Sequence, residues 1–259
     1  MKVTLLGVRG SIPTDGKDHL EFGGATSCVL VQACGQAVYL DGGSGMLHSP
    51  DTSEESASVL FTHTHVDHMI GLPISPLLLS KRRVDIYGKT RDGLDIRQQL
   101  ERLMSLPLWP AGVEVYPSEL HFHETEQFMN IGGISVSCME ANHPGGSLIY
   151  RLEHEGKSLV YATDHEHSTE KQAELADFAE AADLILYDAQ YTDEEYEKMK
   201  GFGHSTVAEG LKLLNSSKAK RILFVHHDPR HTDDMLKKSE EGLKDTRAAF
   251  ARQGMVIRL

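Results

Sequence analysis

The chain has 259 residues, 40% hydrophobic and 25% charged, which is enough apolar surface for a packed core and excludes disorder as its general state. Its formal net charge is −12, from 26 basic and 38 acidic residues, and such a surface argues against a stable complex with nucleic acid. No run approaches the roughly 18 apolar residues of a membrane span, and Cys28, Cys34 and Cys138 contain no CxxC pair, so neither a disulfide framework nor a cysteine zinc site is expected. The first residues read as a strand rather than a signal peptide, and a cytoplasmic location is expected.

Apolar or β-branched runs ended by Gly, Asp or His predict strands over Val3–Val8, Ser27–Ala33, Gln36–Asp41 and Ser58–Thr62. A helix is expected near Ile70–Leu79, then a short strand at Val84–Tyr87 and a helix at Leu94–Met104. His121 and His123 alternate on a short strand and are expected at the surface. Ile134–Glu140, Ser147–Glu153 and Ser158–Thr163 read as strands, the last two joined by a His-Glu-Gly-Lys turn. A helix over Glu170–Ala181, a strand at Leu184–Asp188, a helix over Thr206–Asn215 and a strand at Arg221–Val225 follow. A long helix over Asp233–Gln253 and a strand at Val256–Leu259 complete the chain. There is no repeat and no linker, so one domain over 1–259 is expected. Two halves of this kind suggest two sheets packed face to face with helices outside.

Histidine is the anomaly, at 15 residues, and with so few cysteines it points to imidazole and carboxylate ligation of metal. The densest segment is Thr62-His63-Thr64-His65-Val66-Asp67-His68, an HxHxDH pattern directly after a strand. Four ligand-type residues within six positions can serve two neighbouring cations, but each cation needs three or four protein ligands. Further histidines and aspartates stand at strand ends, in Asn142-His143-Pro144-Gly145-Gly146, in Tyr161-Ala162-Thr163-Asp164 and in Val225-His226-His227-Asp228-Pro229. Strand ends place side chains along one edge of a sheet, where sites usually lie.

With Gly7-Val8-Arg9-Gly10-Ser11, Leu40-Asp41-Gly42-Gly43 and Gly203-His204-Ser205-Thr206, these segments resemble the metallo-β-lactamase superfamily over nearly the whole chain, and within it the phosphodiesterase branch. The resemblance implies an α/β fold, a four-layer αββα sandwich. It implies two divalent metal ions, zinc or manganese. His63, His65 and His143 would bind the first, Asp67, His68 and His226 the second, and Asp164 would bridge both. Asp41 would brace the HxHxDH loop without touching metal. His204 would act as general acid toward the leaving oxygen, with Asp67 counted beside it among the catalytic residues. The expected reaction is hydrolysis of a small phosphodiester, such as a cyclic nucleotide, by a hydroxide bridging the two metals. A homodimer is expected from the family.

Three departures narrow the reading. Tyr161 stands where the tRNA-processing enzymes carry a glutamate paired with the catalytic histidine. No basic insertion could grip tRNA, and no cysteine-rich zinc cluster is present. Hydrolysis of a lactone, thioester or lactam is the alternative, and a metal-bound sensor without activity the third. Asp188 is a candidate brace for a ligand histidine, and Asp228 and His231 are weaker candidates for the pocket rim. Sequence alone assigns no settled role to His165, His167, Asp188, His227 or His231.

Overall fold

A computed structural model describes residues 1–50 and 56–259. The first sheet holds β1 (Lys2–Gly7), β2 (Cys28–Ala33), β3 (Gln36–Leu40), β4 (Ser56–Leu60), β5 (Arg83–Gly88) and β6 (Glu119–Glu124) in sequential order. The last strand, β14 (Val256–Arg258), closes it beside β1. The second sheet runs β13 (Ala248–Phe250), β12 (Ile222–Val225), β11 (Leu184–Asp188), β10 (Lys157–Ala162), β9 (Leu148–His154), β8 (Ile134–Glu140) and β7 (Phe128–Ile131). Strands β3 to β6 are mutually parallel, as are β10 to β13.

Each strand feeds one face into a core shared by the sheets. Leu5, Val31, Leu40 and Leu60 of the first meet Val136, Tyr150, Leu159, Leu186 and Leu223 of the second, all buried. The outer face of the first sheet is covered by α1 (Val66–Met69) and α2 (Ile96–Leu103), with Ile96 and Leu100 buried against Val59 and Ile86. The outer face of the second is covered by α3 (Thr169–Phe178), α5 (Val207–Ser216) and α6 (Asp233–Glu241), with α4 (Asp193–Met199) at its edge. The four layers are those expected.

Two helices differ from expectation. Ile70–Leu79 is not a helix: α1 stops at Met69, and only a 3₁₀ turn follows at Leu72–Ile74. Pro73 and Pro76 lack the amide donors a helix needs there. Gly71 comes so close to Gly43 that a Cβ would stand 2.0 Å from the Gly43 carbonyl oxygen. The expected helix over Asp233–Gln253 ends at Gly242, and Ala248–Phe250 instead pairs with β12 as an edge strand. Sheet pairing and burial of Phe250 override the helical pattern there. Strand β7 was not anticipated, being four residues long and half exposed.

The two sheets are stitched at one end. After β1 the chain runs on through Val8–Gly10 and pairs with the segment beyond β12: His227 N–H donates to Val8 O and Gly10 N–H to His227 O, both at 3.0 Å. Arg9, fully buried, donates to the carbonyls of Gly23, Asp228 and His231 and ties three loops together. His227 turns away from its neighbour His226 into the core beside Phe22 and Phe250, where its Nε2–H donates to Ala251 O.

Burial disfavours the charged form of His227 and pushes its pKa down to about 3, the Ala251 hydrogen bond opposing this and the Arg9 charge reinforcing it. An unfolded histidine titrates near 6.5. Between those values the unfolded chain binds a proton that the folded chain refuses, so stability falls as pH drops from about 6.5 toward 3. His227→Gln is expected to flatten the pH dependence of the urea midpoint between pH 6 and 4, by up to about 1.4 kcal/mol per pH unit. Identical slopes in both proteins would refute this.

Candidate active site

The site lies along the rim where the parallel strands of both sheets end. In the second sheet the register sets Ala162, Tyr187 and Phe224 side by side. One or two residues later Asp164, Asp188 and His226 therefore emerge together. In the first sheet Leu40 pairs with Leu60, so Asp41 and the HxHxDH loop leave the same end. Asp41, Asp164 and His226 all have left-handed backbone, with φ of 62°, 52° and 62°. Such corners cost on the order of 1–3 kcal/mol each in a non-glycine residue, and they cluster at functional sites.

These corners bring together all seven side chains expected as ligands. Ring nitrogens of His63, His65 and His143 lie within 4.8 Å of one another, as do the donor atoms of Asp67, His68 and His226. Asp164 stands between the groups. Its Oδ1 is 3.9 Å from His63 Nε2 and 3.8 Å from His143 Nε2. Its Oδ2 is 3.1 Å from His68 Nε2 and 3.3 Å from His226 Nε2.

The donor set suits a metal. The Nε2 atom of His63 is buried and has no hydrogen-bond partner, a costly arrangement for a polar atom unless it ligates a cation. The opposite ring nitrogens are occupied. His68 Nδ1–H donates to Asp41 Oδ2 at 2.8 Å, His226 Nδ1–H to Gln190 Oε1 at 2.8 Å, and His143 Nδ1–H to Gly203 O at 3.0 Å. Each bond orients its ring so that Nε2 points toward the cluster. Asp41 also accepts from Thr62 N–H and Oγ1–H and from Tyr161 OH, which places Tyr161 behind the HxHxDH loop. Ser11 N–H donates to Asp67 Oδ2 at 2.8 Å. Two glycines make the approach possible: a Cβ on Gly10 would stand 2.4 Å from His226 Nδ1, and one on Gly203 2.0 Å from His143 Nδ1.

The two groups differ electrostatically. Burial holds His63, His65 and His143 below the ordinary histidine range, so they are neutral donors. Burial also works against charge on His68 and His226, but carboxylates outweigh it. Asp164, Asp67 and Asp41 hold His68 well above its usual value, and Asp164, Asp67 and Asp188 push His226 up to about 9. Metal uptake by the second group therefore competes with protons and weakens as pH falls.

His204 stands beside both groups. Its ring stacks on His226 at 4.9 Å between centroids, and its Nδ1–H donates to Asp188 Oδ2 at 2.9 Å. Asp188 is fully buried and also accepts from the N–H groups of Asp164, Gln190 and Ser205. The cap of α5 falls to Thr206, whose side chain accepts from Glu209 N–H. Residues that sequence reasoning passed over hold this arrangement. Glu166 is 9% exposed and accepts from Gly201 and Gly203 N–H and from Tyr196 OH, anchoring the segment before His204. Only its position two residues after Asp164 hinted at a role. His165 is buried and accepts from Asn142 N–H, while His167 bonds Ser205 Oγ. His231 is turned to Glu195, and the buried Asp228 accepts from Arg230, so neither joins the cluster. Asp41→Asn is expected to lower metal affinity about 10- to 100-fold, read by chelator competition, with the circular dichroism unchanged. Unchanged affinity would place Asp41 outside the support of the site.

The comparisons agree with this geometry. A family profile described as "Beta-lactamase superfamily domain" matches residues 33–227. A Ribonuclease Z of Bradyrhizobium diazoefficiens is 21% identical, covering 90% of this chain and 91% of its own. Among solved structures, the metallo-beta-lactamase fold protein YhfI from Bacillus subtilis superposes with a TM-score of 0.74 at 19% identity, over 99% of this chain and 98% of its own. The short form of human tRNase Z does so at 0.71 and 20%, over 100% and 99%. The chain belongs to the beta-lactamase superfamily, and its two packed sheets with outer helices are the metallo-β-lactamase fold.

Proposed function

We propose that this protein is a metal-dependent hydrolase of phosphodiesters, acting on a small diester with two divalent cations, zinc or manganese, in the site. His63, His65 and His143 would hold one cation, Asp67, His68 and His226 the other, with Asp164 between them. Divalent cations in such a site supply Lewis acidity and a water of lowered pKa. Hydrolysis breaks one P–OR ester bond, forms a P–OH bond with the oxygen of water and leaves an alkoxide that needs a proton. The observation that carries the reading is the Asp188–His204 pair beside the cluster. With Nδ1–H committed to Asp188, the ring holds its second proton at Nε2 and gives it to the leaving oxygen. Asp188 is the carboxylate partner of His204, and Tyr161 is turned to Asp41 instead.

A nucleic-acid phosphodiester is the second reading, because the relatives are named Ribonuclease Z. The alignment to the Bradyrhizobium protein spans 282 positions, more than the 259 residues of this chain, so that relative carries residues this chain lacks. Together with the net charge of −12, this favours the small diester.

Metal-loaded protein is expected to hydrolyse bis-p-nitrophenyl phosphate and a 3′,5′-cyclic nucleotide, and to leave a chromogenic lactam and a thioester intact. Turnover of the carbonyl substrates alone would reject the reading, and turnover of a tRNA precursor alone would move it to nucleic acid. His204→Ala is expected to keep its metal content while turnover falls by about 10²- to 10⁴-fold. Loss of metal in that variant would make His204 a ligand instead.

A further inference from the structure

Beside the His63–His65–His143 group the surface opens into a cavity of about 350 Å³. That is the size of a small-ligand site. Its wall includes His63 and His65 and, beyond them, Arg91 and Arg102. Helix α2 is docked on the HxHxDH loop by Gln99, which accepts from the Thr64 hydroxyl and donates to the carbonyls of Lys89 and Leu94. Arg102 lies three residues after Gln99, on the same helix face, which carries its side chain to the cavity. It is exposed, and the neighbouring Glu101 is already taken by Arg97.

Arg91 gives only one nitrogen to a carboxylate, NH2 to Glu140 at 2.7 Å, and its Nε is buried without a partner. The guanidinium lies against Gly146, where a Cβ would stand 2.8 Å from Cζ, and one on Gly145 would stand 3.9 Å from His65 Nε2. A pair of left-handed glycines thus separates the His65 ring from the Arg91 guanidinium. Asp92 is the one carboxylate lining this wall among the described residues, against two guanidinium groups, of which Arg91 is shared with Glu140 from outside the wall. Val66 and Leu108, 54% and 68% exposed, add apolar surface to the same cavity.

We propose that Arg91 and Arg102 form a second anion subsite, so that the preferred substrate is a nucleotide phosphodiester carrying a further terminal phosphate. Guanidinium groups match phosphate in geometry and charge, and Val66 and Leu108 offer a face for the base. This rests on the phosphodiesterase reading and deepens it.

The test compares adenylyl-(3′→5′)-adenosine with and without a 5′-terminal phosphate, using metal-loaded protein and bis-p-nitrophenyl phosphate as reference. The phosphorylated dinucleotide is expected to have a kcat/KM higher by about tenfold or more, the size of a hydrogen bond to a charged group. Arg102→Met is expected to bring that ratio toward one, mainly through KM, and Arg102→Lys to restore part of it. Equal kcat/KM for the two dinucleotides, or a ratio that survives Arg102→Met, overturns the subsite. Cleavage of bis-p-nitrophenyl phosphate with neither dinucleotide cleaved overturns it too but leaves the phosphodiesterase reading standing. If all three diesters are inert, both readings fall.

Discussion

Asp164 stands between two groups of ligand-type side chains, His63 with His65 and His143 on one side and Asp67 with His68 and His226 on the other. One carboxylate oxygen faces His63 and His143, the other His68 and His226. For both to do so, the side chain must leave the end of β10 at a left-handed corner, with φ of 52°. Its own N–H is tied to Asp188, which also orients His204. The central carboxylate and the His204 ring are thereby held by one buried group. Parallel register does the rest, since β10, β11 and β12 end level and present Asp164, Asp188 and His226 as neighbours.

Around this joint each ring is held from behind. Asp41, Gln190 and the Gly203 carbonyl occupy the Nδ1 atoms of His68, His226 and His143. Glu166 in turn grips the amides of Gly201 and Gly203, so the loop that orients His143 and delivers His204 is one anchored unit. His204 is oriented by the buried Asp188 and not by the residue at 161. That carboxylate comes from the next strand, while Tyr161 joins Asp41 behind the HxHxDH loop.

Much of the fold was legible in the chain. Alternating and fully apolar runs mark buried strands because a sheet packed on both faces has little room for polar side chains. The ends of those runs marked the site. Errors fell where local pattern and tertiary demand disagree. At 70–79, prolines and a glycine forced by close approach to Gly43 break an apolar helical run. At 248–250, edge pairing with β12 claims residues whose spacing also suits a helix. Glu166 carries no local sign of its role, because nothing nearby in the chain shows that two glycine amides some 35 residues later will close over it.

The sequence by itself determined the donor chemistry: which imidazoles and carboxylates exist, that four of them lie within one loop, and that the rest follow apolar strands. Those are properties of residue type and spacing, which act over a few bonds. The tertiary structure decided which donors share a group, how the two oxygens of Asp164 are divided, and that Asp188 partners His204. It also brought Arg91 and Arg102 onto the wall of one cavity with His63 and His65. These depend on strand register, left-handed corners and helix docking, which join residues far apart in the chain and leave no mark in the local pattern.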